Sequence, residues 1–117
     1  MLTQKHRFHG HGSLRYVYKN AQAVRSRIIT IKSIGNPRRK HSRFAVVISK
    51  KVLKSAVGRN RVRRRIYEIL RREFEHLKPS QDIVVLVFSA EARTMPHDEL
   101  QALLRQLLLQ ADLYKND

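Results

Sequence analysis

Apolar positions change period several times along this chain. Leu14, Val17 and Tyr18 fall at i, i+3 and i+4 and so share one face of a short helix, with Ser13 placed to cap it. Residues 28–31, Ile-Ile-Thr-Ile, are β-branched throughout, and the segment runs out at Gly35-Asn36-Pro37, a turn signal. Arg38 to His41 then reads as an exposed hairpin loop, with Arg43 to Ser49 as the partner strand. That strand, Phe44-Ala45-Val46-Val47-Ile48, is too continuously apolar to have one wet face. From about Ser55 to His76 the period becomes helical, and Val62, Ile66, Ile69, Leu70 and Leu77 form one stripe. Lys78-Pro79-Ser80 stops that helix, and Asp82 to Phe88 is a second strand of the buried type. Strand, helix, strand predicts a parallel pair, whose crossover is right-handed by the general rule. Thr94 and Pro96 mark the start of a last helix with Asp98 and Glu99 in its first turn, and Leu100, Leu103, Leu104, Leu107 and Ala111 make its sheet-packing face.

Charge changes the picture most between Lys50 and Arg72. Ten Lys or Arg stand there against one acid, Glu68, so the segment holds +9 of a formal net charge of +16. On a helix, Arg61, Arg65 and Arg72 fall together, while Asn60, Arg64, Tyr67 and Arg71 cover the neighbouring flank. The outer face of the last helix is nearly neutral, so the basic surface is concentrated. A chain with 25 basic and 9 acidic residues repels itself when compact, and a polyanionic partner relieves that repulsion. A membrane surface is the competing polyanion, but no stretch approaches the roughly 20 apolar residues of a spanning helix. The first residues also lack the apolar segment of a signal peptide, so a cytoplasmic protein is expected. The absence of cysteine removes disulfides, thiolate metal sites and Cys nucleophiles together. His9 and His11 have no third ligand in register, so no protein-bound metal is expected. The length suits one domain over 1–117, with about 1–12 and 114–117 expected to be flexible and order beginning near Ser13.

At Ser49-Lys50-Lys51-Val52, Ala56-Val57-Gly58-Arg59-Asn60-Arg61-Val62-Arg63-Arg64 and Glu68, the sequence resembles the signature of the bacterial ribonuclease P protein subunit. The resemblance extends in order over roughly residues 5–113: Arg7-Phe8, then Leu14, Val17 and Tyr18, the Arg25-to-Ile31 strand, the Asp82-Ile-Val-Val strand and the leucine-rich last helix. It implies an α+β fold, an α-β-β-β-α-β-α two-layer sandwich like the second domain of a small-subunit ribosomal protein, whose βαβ crossover is left-handed, against the general rule. It also implies a small basic cofactor of a catalytic RNA that needs Mg²⁺, the pair removing the 5′ leader of precursor tRNA, with no chemistry by the protein alone and no obligate protein partner. Carried over position by position, the resemblance assigns RNA-subunit contacts to Lys50, Lys51, Arg59, Asn60, Arg61, Arg63 and Arg64, and the basic surface from Lys50 to Arg72 adds Lys54, Arg65 and Arg72. Leader contacts fall to Leu14, Tyr18, Lys32, Asn60, Arg63 and Tyr67. The chain departs from the family pattern at Leu14, where an aromatic is usual, at Arg63, where Lys is usual, and at Tyr67, where Arg is common.

These residue types suit that chemistry. Planar guanidinium bonds two phosphate oxygens at once where Lys acts as a point charge, so an arginine-rich helix fits a shaped RNA. An unpaired leader asks for a positive groove with flat rings on which bases stack, at about 1 to 3 kcal/mol each. The bland alternatives stay open: Tyr18 as ordinary core, Lys32 as strand solvation, Arg38 to His41 as a solvated loop. Three function classes compete. A self-sufficient nuclease needs a carboxylate cage or acid–base pair, and the nine acids are scattered. A ribosomal or DNA-binding module would keep the charge, but no zinc finger or evident helix-turn-helix is present.

Overall fold

The computed structural model describes the backbone of residues 11–115 and the side chains of residues 15–115. Helix α1 spans His11–Asn20, β1 Gln22–Arg25, β2 Ile29–Gly35 and β3 Arg43–Ile48. Helix α2 spans Ala56–Glu73 and tightens into a 3₁₀ turn at Phe74–His76; β4 is Gln81–Val87, α3 the short Glu91–Thr94 and α4 His97–Gln110. The order is α-β-β-β-α-β-α with one added helical turn, α3, so the architecture is α+β as expected.

The four strands stand in the order β1-β2-β4-β3. β1 and β2 form an antiparallel hairpin across Ser26 to Ile28, so the segment read as one strand over 25–31 is in fact broken by a turn. Ser26 closes that turn, its hydroxyl donating to Ile29 O at 2.6 Å and accepting from Ile29 N at 3.0 Å. β2 pairs antiparallel with β4, and β3 pairs parallel with β4. The predicted parallel pair is therefore correct, while the predicted β2–β3 hairpin is not, because β4 lies between them. β4 takes the centre, where both its edges are paired.

Residues 36–42 are thus a strap across the start of β4. Asn36 N donates to Ser80 O at 2.7 Å, Gln81 N donates to the Ser42 hydroxyl at 3.0 Å, and that hydroxyl donates to Lys78 O at 3.2 Å. Beneath it the buried Arg43 guanidinium grips Asp82 through Nε at 2.9 Å and Nη2 at 2.8 Å, and Asn36 Nδ2 adds a third donor at 3.0 Å.

The alternation of strand residues gives the sheet two different faces. One carries Ile29, Ile31, Phe44, Val46, Ile48, Ile83, Val85 and Val87 and is covered by α2 and α4. The predicted α2 stripe, Val62, Ile66, Ile69, Leu70 and Leu77, is wholly buried there, and Phe74 meets Phe44 edge-on with ring centroids 6.1 Å apart. On α4 the packing face is Leu100, Leu104, Leu107, Leu108 and Ala111, with Leu103 at its margin. The reverse face, with Ala45 and Val84, is covered in part by α1 through Val17. α1 begins at His11, two residues ahead of the predicted Ser13 start. At the other end Tyr114 bridges to Leu77, and its hydroxyl donates to buried Glu73 at 2.8 Å. The flexibility expected of 1–10 and 116–117, together with Arg7, Phe8 and His9, lies outside the described residues.

Candidate nucleic-acid interface

Helix α2 is launched by Ser55, whose hydroxyl accepts from Gly58 N at 3.1 Å. Each residue then turns the helix by about 100°, so with Val62 and Ile66 pointing at the sheet, 61, 65 and 72 lie on one flank and 59, 60, 63 and 67 on the other. Arg61, Arg64, Lys50, Lys51 and Lys54 are exposed, with no side-chain hydrogen bond or salt bridge among the described residues. Among the predicted RNA contacts they are the cations most ready for an external anion.

The other predicted RNA contacts are already engaged to different degrees. Arg59 Nη1 donates to Leu53 O at 2.7 Å and Lys54 O at 2.9 Å, fixing the loop that carries the lysines. Arg63 Nη1 donates to Asn60 Oδ1 at 3.0 Å, which leaves the Asn60 amide to point outward as a donor. Arg72 stands 3.6 Å from Glu68, which also pairs with Arg71, and Arg71 pushes the Glu68 carboxyl below its usual range. Arg65 departs most from the reading as an RNA contact. It donates to the carbonyls of Ala92 at 2.7 Å and Arg93 at 2.9 Å, and also to that of Met95, so its first task is to tie α3 to α2. No regularity of the 3.6-residue period marks such an arginine, because its partners lie about thirty residues away.

The reverse face of the sheet supplies the second surface. Two cross-strand rows line it: Ala23, Lys32, Val84 and Ala45, then Arg25, Thr30, Leu86 and Val47. At the α1 end Tyr18 is 39% exposed, and Lys32 brings its ammonium 5.5 Å from the ring centroid and toward Tyr18 O at 3.4 Å. Partial burial raises the Tyr18 pKa, so the ring stays neutral and able to receive the cation on its face. Tyr18 and Lys32 are therefore brought together as expected. Tyr67 is not with them: it is 4% exposed and belongs to the α2 side of the core, so its ring is not available to a base. Asn60 and Arg63 stay exposed or half-buried on α2, with no hydrogen bond, ion pair or ring contact to Tyr18 or Lys32 among the described residues. Leu14 lies on α1, and its side chain is outside the described residues.

One aromatic was missed. Phe88 follows Leu86 by two residues, so it projects from the same side of β4 as Val84 and Leu86, and it is 57% exposed. Its amide continues the ladder to Ile28 O at 2.8 Å. The alternation 84, 86, 88 was the available signal; taking the whole run as buried hid it.

Among the described residues no group of three or more His, Asp or Glu side chains could hold a metal ion. Five carboxylates are each paired with a cation: Glu68 with Arg71, Glu73 with Arg105, Asp82 with Arg43, Glu91 with Arg27 and Asp112 with Lys78. Among the described residues no helix is long and apolar enough to cross a membrane.

Comparison with known proteins agrees with this geometry. The family model described as Ribonuclease P matches residues 2–112. The chain is 30% identical over 111 residues to the ribonuclease P protein component of Pseudanabaena, covering 95% of each chain. To that of Synechocystis it is 32% identical over 71 residues, 61% of this chain and 57% of the relative. The fold superposes on the RNase P protein of Staphylococcus aureus with a TM-score of 0.84 at 25% identity, covering 94% of this chain and 98% of the other. With a match over nearly its whole length, the chain belongs to the ribonuclease P protein family.

Proposed function

We propose that the chain is the protein subunit of a ribonuclease P ribonucleoprotein, in which a catalytic RNA removes the 5′ leader of precursor tRNA. The observation that carries this reading is the uncompensated cation surface of α2, Arg61 and Arg64 with Lys50, Lys51 and Lys54, on a helix whose opposite side is locked into the core. Such a surface docks a shaped polyanion and cannot itself attack a phosphodiester, since arginine and lysine there are positively charged donors. The described carboxylates most buried in the fold are held in ion pairs, which suits a structural role for them.

In this reading the RNA holds the Mg²⁺ that the reaction needs, and the protein works by positioning. Lys50, Lys51, Lys54, Arg61 and Arg64 grip the RNA subunit, with Arg59, Asn60 and Arg63 shaping that surface. The reverse sheet face receives the unpaired leader, Tyr18 and Phe88 offering rings, Lys32 and Arg25 offering charge. Holding the leader fixes the scissile phosphate relative to the RNA's metal ions, which lowers the entropic part of the barrier. Stacking on rings is tolerant of sequence, as leaders that differ between precursors demand.

The test is a cleavage assay with three preparations: protein freed of RNA, RNase P RNA alone, and both. Protein alone is expected to leave precursor tRNA intact, RNA alone to cleave slowly at high Mg²⁺, and the mixture to cleave at lower Mg²⁺. Leader removal by RNA-free protein would overturn the reading. RNA that copurifies with the protein gives a second check: rRNA would favour a ribosomal role instead.

A further inference from the structure

Gly58 sits in the first turn of α2, and a methyl group on its Cα would stand 3.0 Å from Arg93 Nη1 and 3.4 Å from Arg93 Cζ. The Arg93 guanidinium therefore lies against the helix where a side chain would otherwise project. Arg93 comes from α3, the element that Arg65 ties down through the carbonyls of Ala92, Arg93 and Met95. One turn along α2 stands Arg61. These three arginines, with Thr94, Met95 and His97, line an open hollow of about 490 Å³. No carboxylate lines it, and Glu91, the acid of α3, is turned away into its pair with Arg27. Burial, and then the charge of Arg61, holds the Arg65 guanidinium below its ordinary pKa.

Three like charges converging on one hollow repel each other, and the fold brings them there at some cost. Arg65 is held there by its three carbonyls, but Arg61 and Arg93 could each have reached into bulk solvent. A bound anion relieves that repulsion, and the guanidinium donors of Arg61 and Arg93, from two elements, with a hydroxyl and an imidazole beside them, match a tetrahedral phosphate. The hollow is continuous with the docking surface through Arg61.

We propose that this hollow binds a backbone phosphate of the RNA subunit and extends the docking surface from α2 onto the α3–α4 connection. The proposal rests on the reading of α2 as the RNA-docking helix. Gly58 then has a role beyond the helix start: it leaves room for Arg93 to face the phosphate.

The experiment compares Arg93→Gln and Gly58→Ala, which keeps the charge and displaces the guanidinium, with Arg64→Gln, whose site lies outside the hollow. RNase P RNA binding is measured at several salt concentrations. Inorganic phosphate is titrated onto each free protein while the His97 ring resonances are followed, and melts confirm that each variant is folded. Arg93→Gln is expected to lose on the order of tenfold in RNA affinity at physiological salt and about one unit of the log–log salt slope. It should also abolish the phosphate response at His97. Gly58→Ala should shift both readouts in the same direction at unchanged net charge. Arg64→Gln should weaken RNA binding while leaving the His97 response intact. If Arg64→Gln weakens binding and neither hollow variant does, the proposal fails and the α2 reading stands, whether or not phosphate reaches His97. If all three bind as wild type, both fail.

Discussion

Arg61 and Arg64 stand in solvent off the buried stripe of α2, so reversing either to Glu leaves the core untouched and changes only what an anion meets. Each reversal should weaken RNase P RNA binding and lower the log–log salt slope by about one unit or more, with an unchanged melt. Normal binding at several salt concentrations would show the docking face to be elsewhere. The two tyrosines separate in the same way. Tyr18→Ala removes a ring that is partly open to solvent and should reduce holoenzyme affinity for leader-bearing precursor by about 1 to 3 kcal/mol, while mature tRNA binds nearly as before. Tyr67→Ala instead empties a core position and should lower stability by about 3 to 5 kcal/mol in a denaturant titration, affecting precursor and mature tRNA alike. A precursor-selective defect in Tyr67→Ala would mean that its ring leaves the core when RNA binds.

Between β2 and β3 the decisive feature is the buried Arg43–Asp82 pair under the 36–42 strap. Asp82→Asn would leave the Arg43 guanidinium buried without its countercharge, at a cost of about 3 to 5 kcal/mol. Equilibrium unfolding would read this directly, and a loss well under 1 kcal/mol would show that the pair is solvated in solution. That pair also explains why strand pairing was the part of the fold hidden in the sequence. Periodicity located α1, β2, β3, α2, β4 and α4 to within a few residues, the α2 stripe, the β4 run and the Pro96 start of α4 lying where the pattern put them, but it set apart neither β1 nor α3. It carries no information on which strand lies beside which, and a turn signal at Gly35-Asn36-Pro37 favours the short hairpin over a strap. The β1–β2 turn was hidden for a similar reason, since Ser26-Arg27 holds neither glycine nor proline. The site divided along the same line. Cations and their density were legible residue by residue, and Tyr18 beside Lys32 followed from the family order. Whether a given arginine faces outward or ties down a distant loop, as Arg65 does, depends on α3, which no local pattern connects to α2.

Taken whole, the molecule concentrates positive charge that water and counterions alone must screen until an RNA arrives. Any anion that binds only the folded state adds stability, about 2.7 kcal/mol at a hundred times its dissociation constant. Short polyphosphate should therefore raise the melting temperature by several degrees at concentrations where sodium chloride of matched ionic strength does not. Equal effects of the two would reduce the case to general screening. The central place of β4 has a consequence of another kind, for how the chain is made. On the ribosome β1 to β3 and α2 emerge before the strand that joins β2 to β3. Until Val87 is out, the apolar edge of β3 has no partner and the stripe of α2 has only part of its floor, so pairing must wait for a late insertion. A chain ended before Gln81 should accordingly show no cooperative melt by circular dichroism. A fragment that does melt cooperatively would mean that β2 and β3 can first pair with each other, and that β4 enters the growing sheet by displacing one from the other.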